Sequence, residues 1–188
     1  DSSLPKALAA LYPEVKWKYW EFERCPKGFW DDISNQRAFF DDVARKLDIK
    51  NPEDWYNVKA LDVKKLGGFT VLYKYYKNSL GIALQSVYPD YHWQMWRFER
   101  VPKGFWANPA NVTSFLQWFV DQAGIKRADD WYSISSDMLP PTLLHTHGGL
   151  VALLHKYYPQ YNWNHILAKG KESKSTSKSQ EYLFRMVK

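Results

Sequence analysis

The chain has 188 residues, of which 45% are hydrophobic and 18% aromatic, with ten tryptophans and a formal net charge of +6. No apolar stretch approaches the roughly 20 residues of a membrane span, and a single cysteine, Cys25, cannot form an internal disulfide. These features exclude a membrane-spanning or disulfide-stapled protein. They favour one or two small globular units in a reducing, intracellular compartment, either the nucleus or an organelle.

The first predicted element is a helix that Ser3 can cap. Its apolar residues recur at helical spacing, so we expect them to form a buried face: Leu4, Ala7, Leu8 and Leu11. The pair Tyr12-Pro13 ends this helix, because the residue before a proline avoids the helical conformation.

A string of nineteen residues follows at positions 12–30, YPEVKWKYWEFERCPKGFW, and returns 76 residues later as YPDYHWQMWRFERVPKGFW with twelve identical positions. The string has no helical period. Trp20 and Phe22 alternate as in a short strand, and Pro26 with Gly28 predicts a turn. The repetition predicts two tandem units of about 76 residues.

A second helix is predicted at residues 34–47, with Phe39, Val43 and Leu47 on one face. The next residue is Asp48 in the first copy and Gly124 in the second. Glycine fits the left-handed position that follows a helix and aspartate tolerates it, so we expect the helix to end there in both copies.

Each copy continues with Trp-Tyr and a glycine pair, Gly67-Gly68 or Gly148-Gly149, that precedes an apolar helix. In the first copy a further helix follows, whose apolar face is Leu80, Ala83, Leu84 and Val87. The second copy skips that helix and passes directly to a partial third opening, Tyr158-Pro159 with Trp163. The sequence thus predicts a mostly α fold with short irregular or β-like segments, with one unit at residues 1–87 and a second at 88–168.

Residues 169–188 form the last predicted part of the chain, a basic linker that leads into the start of a further helix. They contain six basic and two acidic residues, so +4 of the net charge of +6 lies here and +2 is left for residues 1–168. The repeated region is therefore nearly balanced in charge.

Six tryptophans are predicted to form the structural core of the two units, because large aromatic side chains dominate core energetics: Trp17, Trp30, Trp55, Trp93, Trp106 and Trp131. A second interpretation keeps Trp20 and Trp96 exposed as stacking surfaces for bases or sugars. The alternation of Trp20 with Phe22 favours burial, since both side chains then point the same way.

Charged residues also recur within the string, as Glu23-Arg24 and Lys27 in the first copy and Glu99-Arg100 and Lys103 in the second. A hydrophobic core does not need a charge at a fixed place. The recurring cations either pair with acids inside each unit or contact phosphates, because a lysine beside a glycine turn suits an anion. Lys64 and Lys65 extend the predicted nucleic-acid-binding set of Arg24, Lys27, Arg100 and Lys103.

No catalytic, cofactor or metal site is predicted. The sequence has no phosphate-binding glycine loop, nucleophile elbow or paired-histidine metal helix. His145, His147 and His155 lack the further ligands of a zinc site, and Cys25 becomes Val101 in the second copy. We therefore expect no enzymatic activity from this chain.

The pattern W-x-x-W-x-F-E-R-x-P-K-G-F-W, followed by D-W-Y, resembles tryptophan-rich tandem repeats of large fungal, plant and algal proteins. The resemblance covers residues 12–158. Such repeats can precede a restriction-endonuclease-like domain, and the segment SKSQEYLFRMVK resembles the first helix of that domain. The resemblance implies a part in substrate recognition by a nuclease-type protein, with no catalytic residue in the chain itself.

Taken together, these features predict a nonenzymatic module that binds DNA or RNA. The alternative is a protein–protein scaffold, for instance a subunit of a large, organellar assembly, that buries aromatic surface against its partners.

Overall fold

The structure, a computed structural model, describes residues 4–163, except for the side chain of Lys6. Every regular element in this range is helical, which confirms the predicted mostly α fold. In the same range no helix has the length and apolar character needed to cross a membrane. The linker and helix predicted at residues 169–188 lie outside the described residues.

Two compact units make up the chain, which divides between Pro102 and Lys103. The sequence repeat suggests a division at residue 87, and the structure places it fifteen residues later. The opening string of the second copy therefore belongs largely to the first unit.

The first unit contains five α-helices: α1 (Leu4–Leu11), α2 (Ile33–Lys46), α3 (Ala60–Val63), α4 (Phe69–Tyr76) and α5 (Leu80–Val87). Short 3₁₀ turns lie at Tyr19–Glu21, Phe29–Asp31, Pro52–Asn57 and Met95–Arg97. A single π-helical turn, Lys64–Gly68, joins α3 to α4.

The predicted strand at Trp20 and Phe22 is wrong. The N–H of Phe22 donates to the carbonyl of Tyr19 at 3.3 Å, which closes a tight turn and leaves no extended ladder. Trp20 and Phe22 are both half-buried in this turn.

Helix α2 begins one residue before its predicted start, because the carboxylate of Asp32 caps it by accepting the N–H of Ser34 at 2.8 Å. The predicted end is confirmed, since Asp48 follows the helix with φ 55° and Gly124 stands at the same place after α6 (Pro109–Ala123) with φ 65°. Phe39 and Val43 are buried as expected, but Leu47 at the end of the helix is exposed.

The kink between α3 and α4 depends on Gly67, which has φ 100°. A Cβ atom at this position would lie 2.4 Å from the carbonyl oxygen of Trp20, because the turn Tyr19–Glu21 packs against Lys64–Gly68. Only glycine satisfies both the backbone conformation and the close approach.

Gly67→Ala is therefore expected to destabilise the first unit by at least about 2 kcal/mol, since a left-handed alanine and a backbone clash act together. The measurement is the free energy of unfolding in denaturant. Gly28→Ala is the matched control, because Gly28 also has a positive φ, 81°, but its added Cβ would meet nothing closer than 3.4 Å. Equal losses for the two variants would contradict the role of the close approach.

Helix α5 and the residues after it cover the first unit, and we call residues 80–98 the closing segment. The predicted apolar face of α5 is buried, and both α2 and α4 contact this helix. Beyond α5, the hydroxyl of Tyr56 accepts the N–H of Gln94 at 2.8 Å. The guanidinium of Arg97 lies 4.0 Å from the centroid of the Tyr56 ring.

Helix α1 occupies the same place in the first copy as α5 does in the second, yet its predicted buried face is wrong. Leu4 and Leu11 are 66% and 71% exposed. The apolar spacing is the same in the two helices, but among residues 4–163 only α5 is closely packed against other helices.

The second unit contains α6, α7 (Pro141–His147) and α8 (Leu150–Tyr157). Its 3₁₀ turns lie at Phe105–Ala107, Ala128–Ser133 and Ser136–Met138. The buried residues of α8 are Leu150, Leu153 and Leu154.

The prediction that the second copy skips its last helix is wrong. Helix α8 directly precedes Tyr158, as α5 directly precedes Tyr88. Gly148-Gly149 separates α7 from α8 with two positive φ angles, and Lys77-Asn78 separates α4 from α5 in the same way. The two glycine pairs are thus not structural counterparts, because Gly67-Gly68 precedes α4.

Candidate nucleic-acid interface

The first tyrosine and the first tryptophan of the string are joined by a hydrogen bond. The indole N–H of Trp17, Trp93 or Trp163 donates to the carbonyl of the tyrosine five residues earlier, at 3.3, 3.1 and 2.9 Å respectively. This bond closes the loop that follows the Tyr-Pro pair each time the pair occurs. Recurrence of these residues is explained by folding.

The aspartate of each Asp-Trp-Tyr triplet also has a structural contact. The carboxylate of Asp54 accepts the N–H groups of Asn51 and Lys50, both at 2.8 Å. Asp130 accepts those of Arg127 and Lys126 at 2.9 and 2.7 Å. These backbone hydrogen bonds hold the pKa of both carboxyls below the ordinary value.

Five of the six predicted core tryptophans are buried, namely Trp30, Trp55, Trp93, Trp106 and Trp131. Trp17 is only half-buried. The rings of Tyr12 and Phe22 contact it, whereas its counterpart Trp93 also packs against Tyr56. Within the described part of the chain, no helix packs closely on α1, which fits the greater exposure of Trp17.

Trp20 does not form an open stacking surface. Its indole N–H donates to the buried carboxylate of Asp42 at 3.1 Å, and its ring meets the edge of Phe39 with 5.7 Å between centroids. Trp96, the other tryptophan considered for stacking, is half-buried.

Asp42 is the centre of a charge cluster in the first unit. Its side chain is only 2% exposed and accepts Lys18 Nζ at 2.7 Å and an Arg45 guanidinium nitrogen at 2.9 Å, with Lys46 Nζ at 3.2 Å. Burial alone would raise the pKa of Asp42, but hydrogen bonds from Lys18, Trp20 and Lys46 outweigh it and lower that pKa. These cations are thus engaged in stabilising the fold.

The recurring cations Arg24, Lys27, Arg100 and Lys103 behave differently. All four are exposed, and none belongs to an ion pair among residues 4–163. Lys27 stands at the corner of a turn in which Phe29 N–H donates to the Pro26 carbonyl at 3.1 Å. The neighbouring acids, Glu23 and Glu99, are exposed as well, so each turn displays a mixed pair of charges.

Two of the predicted cations, Lys64 and Arg100, line one cavity of about 200 Å³ in the first unit. Asn78 and Ser79 contribute polar groups to its wall, and Glu99 contributes an acid. This recess is the place where the fold brings predicted phosphate contacts together.

Lys64 and Lys65 belong to a longer basic segment, which we define as residues 59–77. It contains five lysines and one aspartate, Asp62, whose carboxylate is bound to the N–H of Lys59 at 3.2 Å. None of the five lysines forms an ion pair with a described residue. Unlike the nearly balanced unit around it, this segment carries a strong positive charge.

The basic segment also displays two aromatic side chains, Phe69 and Tyr73, which are 59% and 63% exposed. They lie one turn apart on α4, with 5.9 Å between ring centroids and 14° between ring planes. The ammonium of Lys64 lies 5.6 Å from the centroid of the Phe69 ring. We call Phe69 and Tyr73 the aromatic platform. The sequence analysis did not predict this pair. The signal in the sequence was two aromatic residues four positions apart, shortly after Lys64-Lys65.

A second, more open cavity of about 380 Å³ lies between α2 and the closing segment, with Trp55, Tyr88 and Trp93 in its wall. Trp55 packs on Tyr88, and Trp93 packs on Phe98, as part of the closure of the first unit. Besides aromatic rings, the wall of this cavity contains the cations Arg37 and Lys50 and the acid Asp90.

His145 and His147 lie in α7, and His155 lies in α8. Nε2 of His147 lies 2.9 Å from the carbonyl oxygen of Trp106. Within residues 4–163, no three His, Cys, Asp or Glu side chains come together in a way that could hold a metal ion. In the first unit, burial raises the pKa of the Cys25 thiol, which disfavours the reactive thiolate.

The chain matches no protein-family model, and comparisons with curated proteins and with solved structures also give no match.

Proposed function

We propose that the chain is a nonenzymatic nucleic-acid-binding module that contacts the phosphate backbone through its basic segment and its exposed recurring turns. The observation that carries the proposal is the set of surface cations that form no ion pair with a described residue. The basic segment supplies five of them and the two turns supply Arg24, Lys27, Arg100 and Lys103. Of these cations, Lys74 lies near the carboxylate of Asp31, to which Tyr75 connects it by hydrogen bonds.

The engaged and unengaged cations support this assignment by contrast. Lys18, Arg45 and Lys46 surround Asp42, and Arg97 pairs with Glu53 at 2.6 Å, so these cations stabilise the unit. An unpaired lysine contributes little to the fold, and several of them close together raise the local concentration of a polyanion. Binding then releases counterions from the nucleic acid, which makes the affinity depend strongly on salt.

Charge reversal of Lys64 and Lys65 tests the basic segment. We expect Lys64→Glu with Lys65→Glu to weaken binding of a labelled oligonucleotide roughly 10-fold or more, and to lower the slope of log K against log salt by about 2. The measurement is fluorescence anisotropy between about 50 and 200 mM salt, with one single-stranded and one duplex probe. The pair Lys27→Glu with Lys103→Glu tests the turns in the same titration.

Lys16→Glu with Lys126→Glu is the matched control. Both lysines are exposed and outside the ion pairs of residues 4–163, and the pair changes the net charge by the same amount. An equal loss in this control would show that net charge, and not the proposed surface, governs binding. Absence of any salt-sensitive binding to either probe would overturn the proposal.

A protein scaffold is the second candidate, and the exposed apolar face of α1 favours it. The partner surface it would fit is apolar, like the one that α2 and α4 form over the equivalent residues of α5. Under this candidate Leu11→Glu weakens the complex with a protein partner, and neither nucleic-acid probe binds.

A further inference from the structure

We infer that the aromatic platform is a base-stacking site, so that the ligand of the basic segment is a single-stranded nucleic acid. This inference rests on the proposed function and adds the class of nucleic acid to it. It is carried by the geometry of α4 and by the charges that surround the platform.

Helix α4 has one anchored face and one displayed face. Val71 and Leu72 are fully buried, and Tyr76 is buried beside Gln36, with which its hydroxyl forms a hydrogen bond. Phe69 and Tyr73 therefore stand on a helix that the core holds in place. A site on a fixed helix loses little conformational freedom when a ligand binds.

The two rings are arranged to accept flat ligands. They are nearly parallel and both are more than half exposed, so the pair presents aromatic surface to solvent beside the Lys64 ammonium, which lies over the Phe69 ring. A base can stack on such a surface without any specific hydrogen bond, which is how proteins bind single strands of varied sequence.

Cations lie where the phosphates of a stacked strand would run. Lys64 contacts the edge of the platform through the Phe69 ring and lines the recess that it shares with Arg100. A strand with one base on the platform can thus place a neighbouring phosphate at this recess. Lys74 on α4 and Lys77, which directly follows the helix, supply further positive charge.

A duplex lacks access to this arrangement, because its bases are stacked on each other and only their edges face the grooves. The phosphates of a duplex can still contact the lysines. The platform should therefore add affinity for single strands and leave the electrostatic binding of duplexes nearly unchanged.

The test compares Phe69→Ala with Tyr73→Ala in the full chain against single-stranded and duplex probes of the same sequence. We expect the double variant to weaken single-strand binding roughly 5- to 100-fold and duplex binding less than about 2-fold. Tyr12→Ala with Tyr161→Ala is the control, since it removes two other exposed rings. It should leave both affinities unchanged.

A second variant, Phe69→Leu with Tyr73→Leu, separates stacking from apolar docking. Leucine keeps an apolar surface on α4 but removes the π faces, so it should weaken single-strand binding almost as much as alanine does. Retention of single-strand affinity in the leucine variant would overturn the stacking site, because apolar contact alone would then account for the binding.

The outcomes for the two proposals are distinct. If the wild-type chain binds duplex and single strand alike, and the platform variants change neither, the stacking site is wrong while the proposed function stands. If the wild-type chain binds neither probe, the proposed function and the stacking site both fail.

Discussion

Trp93→Ala is expected to lower the free energy of unfolding of the first unit by about 3 to 5 kcal/mol, the usual cost of removing a buried tryptophan. The side chain of Trp93 is buried in the closing segment, where its ring meets Tyr56 and Phe98, each with 5.8 Å between centroids. Its indole N–H also fixes the Tyr88 carbonyl. The loss is measured by denaturant unfolding together with amide hydrogen exchange in each unit.

Trp17→Ala is the matched control, because Trp17 occupies the same place in the first copy and is only half-buried. We expect it to cost clearly less than Trp93→Ala. Exchange should accelerate in α2, α4 and α5 of the Trp93 variant, while the helices of the second unit keep their protection. Equal costs for the two tryptophans, or a loss confined to the second unit, would contradict the assignment of the closing segment to the first unit.

Asp42→Ala is expected to destabilise the first unit by about 3 kcal/mol, at the lower end of the range for breaking a buried ion pair because the partner cations are partly exposed. The change leaves the Trp20 indole N–H without its acceptor and removes the carboxylate that three cations share. Lys18 and Lys46 then keep only the more exposed Glu21 as a partner. Glu23→Ala, at an exposed acid with no ion-pair partner among the described residues, is the control and should be nearly neutral.

Asp42 also predicts how stability depends on pH. Its pKa is lowered in the folded unit, so its contribution is complete above the ordinary aspartate value of about 4 and is lost as the pH falls below it. The free energy of unfolding measured from neutral pH to about pH 3 should therefore fall less steeply in Asp42→Asn than in the wild type. Parallel curves for the two proteins would contradict a lowered pKa.

The helices could be predicted because their apolar residues recur at a period that strands do not share. The turn Tyr19–Glu21 could not be predicted, because the alternating aromatic residues Trp20 and Phe22 fit a strand and a 3₁₀ turn equally well. The apolar pattern also could not predict that α1 is exposed. Leu4 and Leu11 have the spacing of a buried face, and only the fold determines whether another helix covers them.

The aromatic platform shows a similar limit at the candidate site. Phe69, Leu72, Tyr73 and Tyr76 have the spacing of one apolar stripe, which predicts burial of all four. In the structure only part of this apolar stripe packs against the core. Leu72 and Tyr76 are buried, whereas Phe69 and Tyr73 are exposed. The recurring cations could be selected as candidates from the sequence, because core packing does not explain a charge at the same place in two copies.

The closing segment makes the stability of the first unit depend on residues of the second copy of the string. Trp93 and Arg97 are encoded in the second copy, but the first unit depends on their contacts with Tyr56 and Glu53. A substitution at either position in the second copy therefore changes the stability of the first unit as well. For the same reason, a fragment that ends at residue 87 should be less stable, because it lacks the residues that cover Tyr56.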